Sequence, residues 1–544
     1  MFTVQMRRTT FDLILSMHTL LPFLLAMVAA VVLLHMLAGK LRVAYPIILV
    51  VAGLVVSFIP GLPRMRVDPD LIFFLVLPPL LFEAAWSISW KELWRWRRVI
   101  TSFAFLVVFF TAMAVAVVTS QVIPGFTLAL GFLLGGIVSP PDAVSVGAIT
   151  RFVKIPRTTK ALLEGESLLN DASALIIFRF ALIAVGTGQF VWQQAAVDFA
   201  WMVVGGVGTG LLLGWFFVQL HRRLPTEAAS DIALTLIEPY FMYWAAEQMH
   251  SSGVLAVVSG GLFMARRQLL FLNSASRVKG FSVWESFVFI LNGLVFLMIG
   301  LELPEIVDGL RGHGIALGTA IGYGVLVTVV LVLTRIISSY AALITTYIFR
   351  PQVAPRGRTR RQTWMMPWLL GWTGMRGVVS LAAALAIPVL MEDGTAFPHR
   401  SLILFITFVV ILLTLVVQGL TLPYLIRTTG LFEGAPASLS GEEELHRVRH
   451  SLHAHTLAFL RERVDAEHPD HAGLRRIAAQ WPAHGEADAS DAGREQTKLV
   501  MLELLESQRQ HLMEVNRDSA INEEIIRQEL YLIDLEEERL RMKL

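Results

Sequence analysis

Gly165-Glu166-Ser167-Leu168-Leu169-Asn170-Asp171 places two carboxylates, a hydroxyl and an amide inside an otherwise apolar run from Ala161 to Val185. On insertion scales a charged carboxylate at the bilayer centre costs about 2.5 to 3.5 kcal/mol, and intramembrane acids face a cavity, pair with a base or lie on an ion or proton pathway. Glu166 and Asp171 are five residues apart, or about 500° around a helix at about 100° per residue, so they point about 140° apart. That separation lets one acid be a structural partner while the other lines a cavity. Ser167 lies four residues before Asp171 on the same face, where its hydroxyl joins the carboxylate around a small cation. Asn170 supplies a neutral amide beside it. Asp171 is therefore the first candidate for a site that holds an ion.

The rest of the chain places this segment in a membrane. Of 544 residues, 55% are apolar and 16% charged, and the mean hydropathy is +0.62, well beyond the balance of soluble domains. Runs of about 20 apolar residues divide the first four fifths into spans. Arg7 and Arg8 precede an apolar stretch at 11–37 that is too long for a signal core, so it reads as a retained first span. Further spans fall near 45–60, 70–89, 99–120, 126–150, 161–185, 198–220, 230–249, 252–265, 281–302, 314–349, 365–390 and 400–427. The expected fold is an all-α polytopic membrane protein of about 13 transmembrane helices with a helical tail. The stretch at 252–265 is short for a crossing and that at 314–349 is long. The net charge of +2 excludes nothing, nucleic acid is not an expected partner, and the absence of cysteine removes disulfide and thiolate chemistry.

Lys and Arg alternate between loops. They crowd the loops with Lys40 and Arg42, with Lys91, Arg95, Arg97 and Arg98, with Arg151, Lys154, Arg157 and Lys160, and at 222–223, 266–279 and 350–361. The loops at 121–125, 186–197 and 250–251 have none. The positive-inside rule then puts the basic loops and the tail in the cytoplasm and the N-terminus outside.

Two spans are interrupted. Ser139-Pro140-Pro141-Asp142 removes two backbone donors, and Gly371-Trp372-Thr373-Gly374-Met375-Arg376-Gly377 gathers three glycines around a guanidinium. One such break reads equally well as a packing kink. Two of them, each with an ionisable group, point to the midplane site of a secondary transporter built from inverted repeats, here 99–185 and 314–427.

These segments resemble the monovalent cation/proton antiporter family, which includes bacterial NhaP-like proteins and animal sodium/proton exchangers. GESLLND at 165–171 is similar to its core-helix signature, and Met375-Arg376-Gly377-Val378-Val379-Ser380-Leu381 resembles its Leu-Arg-Gly-Ala-Val-Ala-Leu pattern. Pro79-Leu80-Leu81-Phe82-Glu83, Ser252-Gly253-Val254-Leu255-Ala256, Asn292-Gly293-Leu294 and Val417-Gln418-Gly419-Leu420-Thr421 follow in the family's order. The resemblance implies the sodium/proton antiporter fold with two crossed, interrupted helices. It implies a core bundle at about 99–185 and 314–427, and a dimerisation domain at about 11–89 and 198–302, together filling 1–430. It implies a homodimer in the plasma membrane that carries sodium, or lithium or potassium, against protons without a cofactor. Asp171 is implied as the carrier, Asn170 as its partner in the electroneutral branch, Ser167 as a cation ligand, and Glu166 with Arg376 as a structural ion pair. Glu83 has two readings, a residue that completes or gates the cation site and an interfacial carboxylate near Trp86.

One departure concerns the ligands. Asp142 falls on the aspartate of the family's Thr-Asp-Pro motif, but Pro141 replaces the threonine and Ala143 the proline. A carbonyl of Ser139 or Pro140, or the Ser139 hydroxyl, is the expected substitute, and the choice among monovalent cations stays open. The implied mechanism is competition at Asp171, where burial disfavours the ionised form and proton and cation replace one another. The resemblance adds an elevator-like movement of the core against the dimerisation domain. No Walker motif for ATP is present. A cation channel or a sensor on the same fold is the alternative class.

Asp231, Glu238, Glu247 and His250 border one span, and Glu247 with His250 near its outer end reads as a solvated loop end rather than as part of an entrance funnel or a pH-sensitive pair. After Arg427 the composition turns polar, and 431–544 reads as a cytosolic helical domain. Its leucine and isoleucine spacing predicts two amphipathic helices over about 499–540 that break near Asn516 to Ser519 and pack on each other or on a second protomer. His446, His450, His453 and His455 read as exposed tail histidines rather than a metal or pH sensor.

Overall fold

The computed structural model describes residues 2–41, 43–59, 69–142, 147, 157–188, 192–224, 227–312, 314–349, 360–391, 394–429, 441–466, 491–518 and 521–542. The loop residues Ala143, Arg151 and Lys154 and the basic stretch 350–359 lie outside them. In chain order the helices are α1 (Phe2–Leu41), α2 (Tyr45–Ser57), α3 (Pro69–Ser87), α4 (Trp90–Thr101), α5 (Val108–Val122), α6 (Leu128–Val138) and α7 (Arg157–Thr187). Then come α8 (Trp192–Arg223), α9 (Ala228–Gln248), α10 (Gly253–Ala265), α11 (Gln268–Phe271), α12 (Ser274–Leu301), α13 (Leu303–Gly312) and α14 (Leu317–Phe349). The remainder are α15 (Arg360–Trp372), α16 (Val378–Leu385), α17 (Arg400–Leu413), α18 (Gly419–Thr429), α19 (Gly441–Ala466), α20 (Asp491–Val515) and α21 (Glu523–Met542). Among the described residues the only strand-like pairing is an isolated bridge between Leu390 and Ala396.

Among the described residues seven stretches are long and apolar enough to cross a membrane, among them Trp90–Val122, Leu317–Ile348 and Arg400–Thr429, which confirms a polytopic helical protein. A π-helical turn at Ser102–Val107 joins α4 to α5, and another at Thr414–Gln418 joins α17 to α18. The long stretch after 314 is one helix of 33 residues, about 50 Å at 1.5 Å per residue. The stretch at 252–265 forms the 13-residue α10, which rises only about 20 Å and falls short of a bilayer's ~30 Å hydrocarbon core. Such a short helix is stable at that depth because protein covers it, and most of α10 and α6 is buried.

Both expected interruptions are present. Helix α6 ends at Val138 and Ser139 to Asp142 continues without helical turns, while 373–377 separates α15 from α16. Two prolines in succession end the first, because neither offers an N–H and each disfavours a helical predecessor. The two non-helical stretches touch, with the Asp142 amide donating to the Met375 carbonyl at 2.7 Å.

Packing sorts the helices into two neighbourhoods. Helix α3 lies against α9, α10 and α12, with α8 on α10 and α2 on α12. Helix α7 lies against α4 and α6, with α5 on α6, α14 on α15 and α17, and α16 on α17. Helices α19, α20 and α21 enclose a separate core of Val448, Leu505, Leu512, Ile525, Ile526 and Ile533. Two of them match the expected amphipathic pair, which breaks where expected and packs on itself. The third, α19, was not expected. Its apolar positions Leu445, Val448 and Leu452 recur at helical spacing among the histidines and charges.

Candidate functional site

Helix α7 carries Glu166 at 4% exposure into the protein, where Arg335 of α14 meets it with a two-pronged grip. The Arg335 Nη1 donates to Glu166 Oε1 at 2.6 Å and Nη2 to Oε2 at 2.9 Å, and Nε reaches the Leu370 carbonyl at 3.3 Å. The expected pairing of Glu166 with Arg376 is thus corrected. The physical reason is geometric: a carboxylate gripped on both oxygens by one planar guanidinium is already satisfied. Arg376 stays within the electrostatic field of both Glu166 and Arg335, but its hydrogen bonds go elsewhere.

Arg376, 1% exposed, closes the end of the broken helix α6. Its Nε donates to the Val138 carbonyl at 2.7 Å, Nη2 to that of Ser139 at 3.4 Å and Nη1 to that of Gly374. Pro140 and Pro141 leave α6's last carbonyls without helical donors, and a helix C-terminus carries partial negative charge, so a buried cation belongs there. At the other break, Asp142 lies against Gly377, the residue before α16. A methyl group on Gly377 would collide with the Asp142 carboxylate. A carboxylate at a helix N-terminus meets partial positive charge. Gly374 is equally constrained, since a Cβ there would stand 2.5 Å from Arg335 Cδ and 2.9 Å from Arg376 Nη1. The two interruptions therefore compensate one another's exposed ends with a guanidinium and a carboxylate.

Asn170 is fully buried and its Nδ2 donates to the Pro141 carbonyl at 3.2 Å. This ties the signature helix to the first break through the residue that replaces the expected threonine. Its Oδ1 is buried and receives no hydrogen bond among the described residues, an acceptor that a cation or a protonated acid would satisfy. Asp171 is 8% exposed, and Asp142 lies within its electrostatic range. Among the described residues no guanidinium, ammonium or imidazole pairs with Asp171. Ser167 sits half-buried one turn earlier on α7. Ser139 is buried, its hydroxyl donating to the Gly135 carbonyl at 2.5 Å while its carbonyl accepts from Arg376. Both of its expected ligand atoms are thereby engaged, and the carbonyl that faces Asn170 is Pro141's. Glu83, on α3, lies half-buried in the field of Glu164 on α7.

Asp231 and Glu238 are buried, with His221 at the end of α8 between them at 2.9 and 2.8 Å and Ser276 donating to Asp231 at 2.7 Å. Glu247 lies partly exposed in the last turn of α9, at the loop end expected for it. It pairs with Arg179 of α7 and accepts from the Gly253 amide at 3.2 Å, while His250 is exposed. In the tail, His446, His450 and His453 are exposed as expected, but the His455 ring stacks on His511 at 4.3 Å. Among the described residues no group of three or more His, Asp or Glu side chains is arranged to hold a metal ion.

Three comparisons bear on the chain's family and fold. The family model described as sodium/hydrogen exchanger, transmembrane, matches residues 25–428. A sodium, potassium, lithium and rubidium/H(+) antiporter of Bacillus subtilis is 34% identical over 387 residues, covering 70% of this chain and 57% of the relative. The chain thus spans little more than half the length of that relative. An uncharacterized Na(+)/H(+) exchanger of Mycobacterium bovis is 30% identical over 535 residues, covering 96% of both chains. Among solved structures, the sodium proton antiporter MjNhaP1 from Methanocaldococcus jannaschii superposes with a TM-score of 0.59 at 15% identity, over 78% of this chain and 100% of that one.

Proposed function

Because the chain belongs to the sodium/hydrogen exchanger family, we propose that it is a secondary antiporter in which one monovalent cation and one proton alternate on Asp171. The observation that carries this reading is the charge inventory of the site. Glu166 is matched by Arg335, and Arg376 and Asp142 sit on opposite helix ends. Asp171 is the buried acid left without a basic partner among the described residues. A lone buried carboxylate is expensive while charged and cheap once a proton or a cation neutralises it. The occupied site therefore crosses between the two sides readily and the empty one does not, which makes exchange obligatory. With Asn170 in place of a second acid, one cation replaces one proton and the exchange is electroneutral.

In this reading Asn170 Oδ1, Ser167 and the region of Asp142 supply neutral and charged ligands around the cation, and Glu83 approaches from the neighbouring bundle. Glu166 and Arg335 hold the two halves of the core together. The bundle of α4–α7 and α14–α18 moves as a carrier against a scaffold of α1–α3 and α8–α12, through which two copies dimerise. The protein resides in the plasma membrane with its tail in the cytoplasm, and the proton gradient drives it without a cofactor. A potassium-competent site is the second reading. Pro141 removes a hydroxyl ligand, and the Bacillus relative carries potassium and rubidium in its name.

The test is cation-induced proton movement in inverted membrane vesicles, run with sodium, lithium and potassium across pH. Sodium is expected to give a saturable signal, and Asp171→Asn to abolish it. A signal that survives Asp171→Asn, or a current far above stoichiometric exchange, would sink the proposal.

A further inference from the structure

Helix α4, the π-helical turn after it and α5 run on from Trp90 to Val122 over 33 residues, about 50 Å at about 1.5 Å per residue against about 30 Å of hydrocarbon. Residues 99–122 carry no charge and fill that depth, so α4, with Lys91, Arg95, Arg97 and Arg98, stands at the level of the headgroups. One side of α4 faces the protein. Ile100 is buried there, and Ile100 and Leu93 both lie against Gly165, where the polar segment of α7 begins. The other side carries a ladder of rings and guanidiniums. Arg266, which closes α10, holds its Cζ 5.5 Å from the centroid of Trp90; Trp90 stacks on Trp94 at 5.8 Å and 19°; and the Arg97 Cζ lies 4.5 Å from the centroid of Trp94. Trp94 is 56% exposed, and Arg95, Arg97, Arg98 and Arg266 are exposed as well. Among the described residues none of these guanidiniums meets a carboxylate, and Arg97 Nη1 donates to the Trp94 carbonyl at 2.7 Å.

An indole exposed at this level is matched by hydrocarbon, and cations gathered without acids are matched by an anion. We infer that this face of α4 binds the headgroup of an anionic phospholipid: Arg97 and Arg98, three and four residues beyond Trp94 and so flanking it one turn on, take the phosphate, and an acyl chain lies along the Trp94 ring. Arg95 and Arg266 add attraction from either side. A guanidinium suits the phosphate because its planar fork gives two N–H bonds to two phosphate oxygens, and stacking on an indole fixes that plane beforehand. The indoles select a lipid over a soluble anion, since their faces offer a free phosphate nothing and match the first carbons of a chain. The surplus of cations selects an anionic over a zwitterionic headgroup, because choline or ethanolamine would bring a further positive charge among them. Nothing in this site depends on which ion Asp171 carries.

The experiment uses the full chain in neutral detergent, offered phosphatidylglycerol and phosphatidylcholine together, with the retained lipid read by native mass spectrometry. The wild type is expected to retain phosphatidylglycerol severalfold more than phosphatidylcholine, and the Arg97→Gln, Arg98→Gln double variant to lose that preference. Arg97→Lys, which keeps the charge but loses the planar fork, should keep only part of it, and Trp94→Leu should weaken retention of phosphatidylglycerol. Equal retention of the two lipids by the wild type, or a preference untouched in the double variant, overturns the inference. Displacement of the lipid by inorganic phosphate at matching concentration overturns it too, since the site would then be one for a soluble anion. Thermal unfolding in the same detergent checks that each variant is folded. Where the double variant is not, Arg97→Lys and Trp94→Leu decide, and an undiminished preference in both overturns the lipid site.

Discussion

At the Glu166 carboxylate, deleting one guanidinium leaves a buried charge unmatched, which costs about 3 to 5 kcal/mol. Arg335→Met is therefore expected to lower the thermal unfolding midpoint of the detergent-solubilised protein sharply, and Glu166→Gln in the same background to recover most of the loss. A double-mutant cycle between positions 166 and 335 should show strong coupling, and the cycle between 166 and 376 little. The reverse ranking would restore Arg376 as the partner. Arg335 was visible in the sequence as a guanidinium midway along an apolar run, and intramembrane arginines demand a partner. Motif similarity singled out Arg376 instead. What the sequence lacks is the depth at which α14 passes α7, because pairing across 169 positions is set by tertiary packing rather than by local spacing. The burial of Asp171 and Asn170 was legible for the opposite reason: polar side chains in an apolar helix announce themselves wherever that helix packs.

At the scale of elements, the crossing of the two interrupted helices depends on the absence of a side chain at Gly377, where a Cβ would strike the Asp142 carboxylate. Neither neighbour moves cheaply, since the Asp142 amide is already bonded to Met375. Gly377→Ala should therefore displace Asp142 from the α16 terminus and cut sodium-driven proton movement by at least about tenfold, a change of about 1.4 kcal/mol, with protein levels in the membrane maintained. An unaffected rate would show that the carboxylate has room to move. The breaks themselves were readable, because consecutive prolines and clustered glycines act on the local backbone. So was the membrane-spanning class, through the length of its apolar runs. The buried Asp231–His221–Glu238 set was not. His221 lies at the end of a different helix, in a basic segment that reads as solvated until α9 and α12 cover it.

For the whole molecule, the tail connects a small packed domain to the membrane helices, and its two titratable regions respond to acid differently. Burial lowers the pKa of His511 from its ordinary 6.5, the stacked His455 lowers it further, and Glu514 opposes them weakly. The folded tail thus prefers the neutral ring. As pH falls below about 6.5 the unpacked chain takes up the proton first, so the stability this ring contributes is present above that pH and is lost below it. Glu537 behaves otherwise. Burial pushes it up, but the Ser274 hydroxyl and the Arg509 and Arg541 guanidiniums outweigh that and bring it down from 4.5 to about 2. Its contribution is present above about 4.5 and fades only as pH falls toward 2. Between pH 7.5 and 5.5, the protection of amides against hydrogen exchange, taken relative to their intrinsic rate at each pH, should therefore fall where α19 packs on α20, around His455 and His511, while the Glu537 contact with α12 stays protected. His511→Phe, which keeps a ring for stacking and cannot titrate, should flatten that response. Equal loosening of both regions in the wild type would mean that acid acts on the tail through some group other than this imidazole.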